Sequence, residues 1–230
     1  AYLVPDFHNP TGSYMPVEAR ARLKLRCLTI IDETMADLVL DADQAGAMPF
    51  AAHEPSAITV GSVSKSIWGG LRIGWIRANP ALLQRVSRAR PAVDLGTPVV
   101  EQLATAELLE AEAQRRPAAL ATLRAQRDAA VHALREHLPD VSAPVPSGGL
   151  TLWATLPSAV ATRLAMIAPD HGVAIGAGPR FGVGGAFARN IRIPYSLPAS
   201  ELTEAIRRLA AAKTAIGRGA RGRHKPAPLA

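Results

Sequence analysis

The chain has 230 residues, of which 48% are hydrophobic and 20% are charged, so it is long and apolar enough to bury a sizeable core. No stretch approaches the ~18 consecutive apolar residues of a membrane span. The single cysteine, Cys27, excludes a disulfide framework or a cysteine-rich metal cluster within the chain. We therefore expect a cytoplasmic protein with no metal site and no membrane contact.

The net charge of +7 is concentrated at the carboxyl end of the chain. Arg218, Arg221, Arg223 and Lys225 carry four of these charges, and glycine and proline residues flank them. Such a composition is typical of a disordered segment. We therefore expect a basic disordered tail over residues 217–230, and we do not expect a nucleic-acid surface on the folded part.

The first half of the chain alternates between apolar runs and helical patterns. Continuous apolar runs bounded by turns suit parallel strands that are buried on both faces. Pro16 is suited to the start of a helix over residues 17–27. Four such runs are YLVP (2–5), LTIID (28–32), AITVG (57–61) and IGWIRA (73–78). The alternation predicts an α/β fold with an open, mostly parallel sheet, of which residues 1–95 form part of a large domain.

The rest of the chain divides into a helical stretch and a mixed α+β stretch. A helix is predicted over residues 79–89, with Asn79 as its N-cap. Helical patterns then continue from Thr97 to about His137 with an interruption near Pro117, so residues 96–143 are expected to form a helical connection. The apolar helices at 96–112 suit either a subunit interface or the core.

Residues 144–216 form a second region, because short strand patterns and helices alternate there. The strand patterns lie in residues 146–157, VAIGAG and NIRIPYS, and the helical patterns at 161–172 and 197–213. We expect a smaller α+β subdomain.

Polar residues follow the predicted strands at the point where each strand ends. The stretches are HNPTG (8–12), IIDET (30–34), GSVSK (61–65) with GLRIGW (70–75), and NIRIPYS (190–196). In open α/β sheets, ligands bind at the edge formed by the carboxyl ends of the strands.

In this order and spacing, the stretches resemble the fold type I pyridoxal-phosphate enzymes of the aminotransferase class I/II family, over about residues 1–216. The resemblance implies pyridoxal 5′-phosphate as the cofactor, and amino acids or 2-oxo acids as the substrates of a transaminase. It also implies a homodimer, although nothing in the sequence alone proves one.

The resemblance assigns a role to each polar residue. An aldehyde cofactor is captured by an amine as a Schiff base, and Lys65 matches that catalytic lysine. A partly desolvated pocket beside Arg72 would disfavour the charged form of this amine. Asp32 matches the acid that pairs with the ring nitrogen, and Asn9 matches the donor to the ring hydroxyl.

The remaining assignments concern anionic groups. Ser62, Ser64 and Arg72 are expected to bind the cofactor phosphate, where a guanidinium makes a two-pronged contact. Arg192 matches the arginine that clamps a substrate α-carboxylate, and Arg180 is a weaker competitor for that role. His8 receives no assignment.

The chain departs from the family pattern after Asp32, where Thr34 and Met35 stand at the positions in which the family carries a tyrosine. A methionine cannot donate a hydrogen bond. The family's upstream stacking aromatic and glycine-rich turn are also not in this chain, so we expect weak cofactor binding by these residues alone.

Several longer phrases look like one branch of the family. YLVPDFHNPTG, DETMADL, SKSIWGGLRIGW, DLGTPVVEQL and GPRFGVGGAF resemble the aminotransferase-like domain of MocR regulators, which belong to the GntR family of transcription factors. That resemblance implies a DNA-binding domain upstream of Ala1, outside this chain. Two hypotheses remain: a transaminase, and a sensory domain that binds the cofactor and an effector.

Overall fold

The computed structural model describes residues 1–41 and 48–221. The chain forms two compact units. The first contains Ala1–Thr122 and Pro146–Gly149, and the second contains Leu123–Val145 and the chain from Leu150 onwards. This grouping places the first part of the predicted helical connection with the first sheet, and the three-part division expected from the sequence stays a prediction.

A four-stranded sheet forms the centre of the first unit, in the order β1-β2-β3-β4. Its strands are β1 (Tyr2–Leu3), β2 (Ile30–Asp32), β3 (Ile58–Ser62) and β4 (Gly74–Arg77). β1, β2 and β3 pair in parallel, whereas β4 runs antiparallel to β3. A parallel strand needs a crossover connection, and the short connection over residues 63–73 returns the chain as an antiparallel neighbour. The sheet is therefore mixed and mostly parallel, as predicted.

The core of the first unit lies against β2. Ile31, Phe50 and Ala57 are buried there, and Leu3, Met15 and Leu23 pack against them from the sides. This packing holds the ends of the parallel strands in register.

Among the first four helices, α2 begins as predicted, whereas the end of α1 and the break between α3 and α4 differ from the prediction. The helices are α1 (Val17–Arg22), α2 (Pro80–Ala89), α3 (Val99–Glu110) and α4 (Glu112–His137). α1 is shorter than predicted, because Leu23 adopts an extended conformation. Asn79 caps α2 as expected, since its Oδ1 accepts a hydrogen bond of 2.9 Å from the Leu82 amide. The predicted interruption near Pro117 is wrong: the break lies at Ala111, where ψ is −1°, and α4 continues through Pro117.

The second unit carries a three-stranded antiparallel sheet in the order β5-β7-β6. Its elements are β5 (Thr151–Thr155), α5 (Ala161–Ile167), β6 (Gly176–Ala177), β7 (Asn190–Pro194) and α6 (Ala199–Arg221). Its fully buried side chains include Leu152, Leu164, Ile191, Leu202 and Ile206.

The last helix extends beyond its predicted end at residue 213, so part of the predicted tail is helical. Residues 222–230 of that tail lie outside the described residues. Within residues 1–41 and 48–221, no helix combines the length and the apolar character needed to cross a membrane.

Candidate functional site

The loops after the three parallel strands border one cavity of about 570 Å³. Because β1, β2 and β3 run in the same direction, their carboxyl ends lie at one edge of the sheet. The cavity brings together Asn9, Asp32 and Lys65, three of the residues that the sequence singled out. The described residues that line it are Tyr2, Leu3, Val4, His8, Asn9, Met15, Asp32, Thr34, Met35 and Lys65.

The loop that carries Asn9 is closed on itself by backbone hydrogen bonds. The His8 amide donates to the Ser13 carbonyl at 2.8 Å, and the Met15 amide donates to the Pro5 carbonyl at 2.8 Å. Gly12 has a φ of 69°, which lies in the left-handed region that glycine tolerates. The NPTG sequence therefore forms a compact turn that presents Asn9 to the cavity.

Arg20 of α1 ties both ends of this loop together. Its Nη2 donates to Asp6 Oδ1 at 2.6 Å, and its Nε donates to the Met15 carbonyl at 2.9 Å. The guanidinium also lies over the Tyr14 ring, 4.8 Å from its centroid. The side chains of Arg20 and Asp6 are only 1% and 5% exposed, so this ion pair is buried beneath the loop. The sequence does not indicate this pair, because an arginine in an amphipathic helix gives no signal of its buried partner.

Asp32 ends β2 with both carboxylate oxygens in hydrogen bonds. Oδ1 accepts from the Thr34 amide at 2.9 Å, and Oδ2 accepts from the Tyr2 hydroxyl. Burial alone would raise the pKa of Asp32, but the hydrogen bonds from Tyr2 and Thr34 outweigh it and hold the pKa below its ordinary value. Asp32 therefore presents an ionised carboxylate to the cavity at neutral pH.

Lys65 lies in the turn that follows β3 and lines the same cavity. The expectation of a desolvated amine beside Arg72 is wrong for this chain, because the Lys65 side chain is exposed. No described element of the chain covers it.

Of the residues expected to hold a phosphate, the two serines interact with each other and with the turn after β3. Ser62 Oγ donates to the Ile73 carbonyl at 2.9 Å and lies 2.8 Å from Ser64 Oγ. Arg72 ends a short 3-10 turn in a left-handed conformation, with a φ of 55°. It lines a second cavity of about 750 Å³ together with Gly61 and Trp75. Ser62, Ser64 and Arg72 are not among the described residues that line the first cavity, and their role stays a prediction.

Arg192 belongs to the second unit, in the middle of β7. It pairs with Trp153 of β5 and Gly176 of β6. Burial lowers the pKa of Arg192, and its Nε is buried without a hydrogen-bond partner among the described residues. Arg180 is exposed in the short turn over Gly178–Phe181. The assignment of a substrate carboxylate to Arg192 stays a prediction.

The fold and the strand-end groups define a domain of the fold type I aminotransferase class. The solved structure of LysN, an α-aminoadipate aminotransferase from Thermus thermophilus complexed with N-(5′-phosphopyridoxyl)-L-leucine, matches with a TM-score of 0.86 and 29% sequence identity. The match covers 94% of this chain and 59% of that one.

The chain belongs to the aminotransferase class I and II family, whose model matches residues 3–209. A 2-aminoadipate transaminase from Thermus thermophilus is 32% identical over 220 residues, which cover 90% of this chain and 55% of the relative. The uncharacterized HTH-type transcriptional regulator YisV from Bacillus subtilis is 30% identical over 162 residues, which cover 67% of this chain and 34% of that protein. The chain thus spans about half the length of the transaminase it resembles, and a smaller share of the regulator.

Proposed function

We propose that this chain is part of a domain that binds pyridoxal phosphate, with Lys65 as the residue that holds the cofactor. The observation that carries this proposal is the convergence of Asn9, Asp32 and Lys65 on one cavity at the carboxyl ends of parallel strands. The family match and the relative solved with a phosphopyridoxyl group indicate pyridoxal phosphate as the cofactor.

The chemistry of the cavity fits that cofactor. Pyridoxal phosphate has an aldehyde, a ring nitrogen that is basic and a ring hydroxyl. Lys65 offers an amine, Asp32 offers an ionised carboxylate, and Asn9 offers an amide that donates and accepts hydrogen bonds. Ser62, Ser64 and Arg72 are proposed as the phosphate ligands, and Arg192 as the ligand of a substrate carboxylate.

When bound, pyridoxal phosphate supplies a carbonyl that bonds to amines and a ring that accepts electrons from a substrate's α carbon. The chain's own residues hold it and move protons. Lys65, which lines the cavity, would take up and return a proton through its Nζ. With the cofactor bound, the carboxylate of Asp32 would stabilise a protonated ring nitrogen by its charge, and the amide of Asn9 would bond to the ring hydroxyl.

The substrates of such a domain would be amino acids and 2-oxo acids. Transamination is the first candidate function, supported by the family and by the similarity to a transaminase. A sensory role is the second candidate. It is supported by the similarity to an HTH-type regulator and by Thr34 and Met35, which line the cavity where the family carries a tyrosine.

Absorbance spectroscopy tests the cofactor assignment. Adding pyridoxal phosphate to the wild-type chain should produce a visible band that persists through gel filtration, and Lys65→Ala should abolish it. Lys24→Ala removes an amine from an exposed position that does not line the cavity, so it is the matched control and should retain the band. Survival of the band in Lys65→Ala would show that another amine holds the cofactor.

A turnover assay separates the two candidate functions. The protein is incubated with pyridoxal phosphate, an amino donor and 2-oxoglutarate, and glutamate is measured. Glutamate formation that depends on Lys65 supports the transaminase. Cofactor binding without glutamate formation supports the sensory domain, in which contact with DNA would be made by a domain outside this chain.

We also propose a cytoplasmic homodimer. Five large apolar residues over 93–103 are exposed in the first unit, namely Val93, Leu95, Val99, Val100 and Leu103. Val93 is 86% exposed and Val100 is 75% exposed, and apolar surface of this kind supports a protein interface. These exposed residues therefore support the expected dimer. They lie in or just before the helical stretch that suits either a subunit interface or the core.

A further inference from the structure

Tyr2 contacts Asp32 from the neighbouring strand. β1 and β2 pair in parallel, with Tyr2 opposite Ile30 and Leu3 opposite Ile31. From this position the Tyr2 hydroxyl reaches forward along β2 and donates to Asp32 Oδ2. Tyr2 also lines the cavity that contains Asp32, Asn9 and Lys65.

This contact helps to fix the orientation of the Asp32 carboxylate. Each carboxylate oxygen can accept about two hydrogen bonds. Oδ1 already accepts from the Thr34 amide and Oδ2 from Tyr2, so the two bonds hold the carboxylate from both sides. Its orientation is therefore fixed before any ligand enters.

We propose that Tyr2 is a positioning residue that orients the Asp32 carboxylate in the cavity. The proposal rests on the proposed function, because its consequence for a ligand depends on Asp32 pairing with the cofactor ring. Thr34 also stabilises the ionised carboxylate through its side chain and its backbone amide, but the contribution of Tyr2 precedes both in size. Among the hydrogen bonds that favour the ionised form of Asp32, the one from the Tyr2 side chain contributes most.

The protonation state of the Tyr2 hydroxyl suits this role. Its hydrogen bond to Asp32, with added contributions from burial and from the charge of Asp32, raises the pKa of Tyr2 to about 12. The hydroxyl therefore stays protonated and remains a donor at every physiological pH. A donor that does not titrate keeps Asp32 oriented independently of pH.

Carbon-13 NMR of aspartate carboxyl groups in the cofactor-free chain tests the contact. Tyr2→Phe removes one oxygen and should shift the titration of Asp32 to higher pH, because one of the bonds that favour the ionised form is lost. Tyr14→Phe is the matched control, since Tyr14 packs against Phe7 and Arg20 and should leave Asp32 unchanged. An Asp32 titration that is the same in the wild type and in Tyr2→Phe overturns the proposal.

The reciprocal variant gives an independent measurement. In Asp32→Asn, the Tyr2 ring signal should titrate at lower pH than in the wild type, because the charged acceptor that raises the pKa of Tyr2 is gone. An unchanged Tyr2 titration would also overturn the proposal. Because Tyr2 is 60% exposed, Tyr2→Phe leaves the packing of the sheet intact, and circular dichroism checks this.

A cofactor titration separates this inference from the function on which it rests. If the proposed function holds, Tyr2→Phe should weaken pyridoxal-phosphate binding by about tenfold, the effect expected from losing one charge-assisted hydrogen bond. If both NMR titrations move but the wild-type chain shows no visible band with the cofactor, the Tyr2–Asp32 contact stands and the proposed function fails. If the wild type binds the cofactor and Tyr2→Phe binds it with equal affinity, the positioning role is overturned.

Discussion

Asp32 links the chemistry of the site to the stability of the first unit. Its pKa in the folded chain lies below its ordinary value of 3.8, since the hydrogen bonds from Tyr2 and Thr34 outweigh the effect of burial. A carboxyl group whose pKa is lowered by folding contributes stability above the unfolded-state pKa, and this contribution is lost as the pH falls through the folded-state pKa.

We therefore expect Asp32→Asn to be less stable than the wild type at neutral pH, with a difference that shrinks as the pH falls below about 4. Denaturation by urea at a series of pH values measures the free energy of unfolding of both proteins. In a Tyr2→Phe background the pH-dependent part of the difference should become smaller. A difference that is constant from pH 7 to acid would contradict this prediction.

At the residue scale, the sequence identified the strand-end groups but not the side chains that hold them. Asn9, Asp32 and Lys65 could be found, because they follow apolar runs and match the motifs of the family that the sequence resembles. Tyr2 could not, since its contact depends on the register between β1 and β2, which pairs residues far apart in the chain. The sequence shows Tyr2 as the first polar side chain of an apolar run, which does not indicate its contact with Asp32.

At the element scale, α1 and the loop before it form one structural piece because of the buried ion pair between Arg20 and Asp6. Burial raises the pKa of Asp6, while Arg20 opposes that rise. Removing one partner of a buried ion pair leaves the other uncompensated, whereas replacing both with apolar residues is often tolerated.

Arg20→Met should therefore lower the free energy of unfolding by about 3 kcal/mol. The double variant Arg20→Met with Asp6→Leu should be more stable than the sum of the two single variants indicates. Urea denaturation of the four proteins completes the double-mutant cycle. Additive effects would show that the pair contributes no coupling energy. Arg20→Met should also weaken cofactor binding, since the loop carrying Asn9 loses its anchor.

The elements themselves were more predictable than their ends. The apolar runs gave four strands of the first sheet, and Asn79 gave the start of α2. The end of α1 and the break at Ala111 were missed, because no proline or glycine marks them. The close approach at Gly148, where a Cβ would lie 2.3 Å from the Leu38 carbonyl oxygen, likewise depends on tertiary packing that no local pattern shows.

At the scale of the whole molecule, the exposed apolar face of α3 and the segment before it is the feature that an isolated chain leaves unexplained. Thr105 is buried within α3, whereas Val99, Val100 and Leu103 are exposed. Exposing these side chains to water is unfavourable by roughly 25 cal/mol for each Å² of apolar surface. A second copy of the chain would remove this surface from water on both partners at once.

Leu103→Glu should consequently shift the protein from dimer toward monomer, because a charge placed in an apolar interface is left without a partner. Sedimentation velocity across a range of protein concentrations measures the change. Leu109→Glu is the matched control: Leu109 is also exposed on α3, but at ~100° per residue it lies on another face of the helix. A wild type that stays monomeric at all concentrations, or an equal effect of both substitutions, would contradict an interface at this face. If the dimer completes the cofactor cavity, Leu103→Glu should lower pyridoxal-phosphate affinity as well, and raising the protein concentration should restore it by mass action.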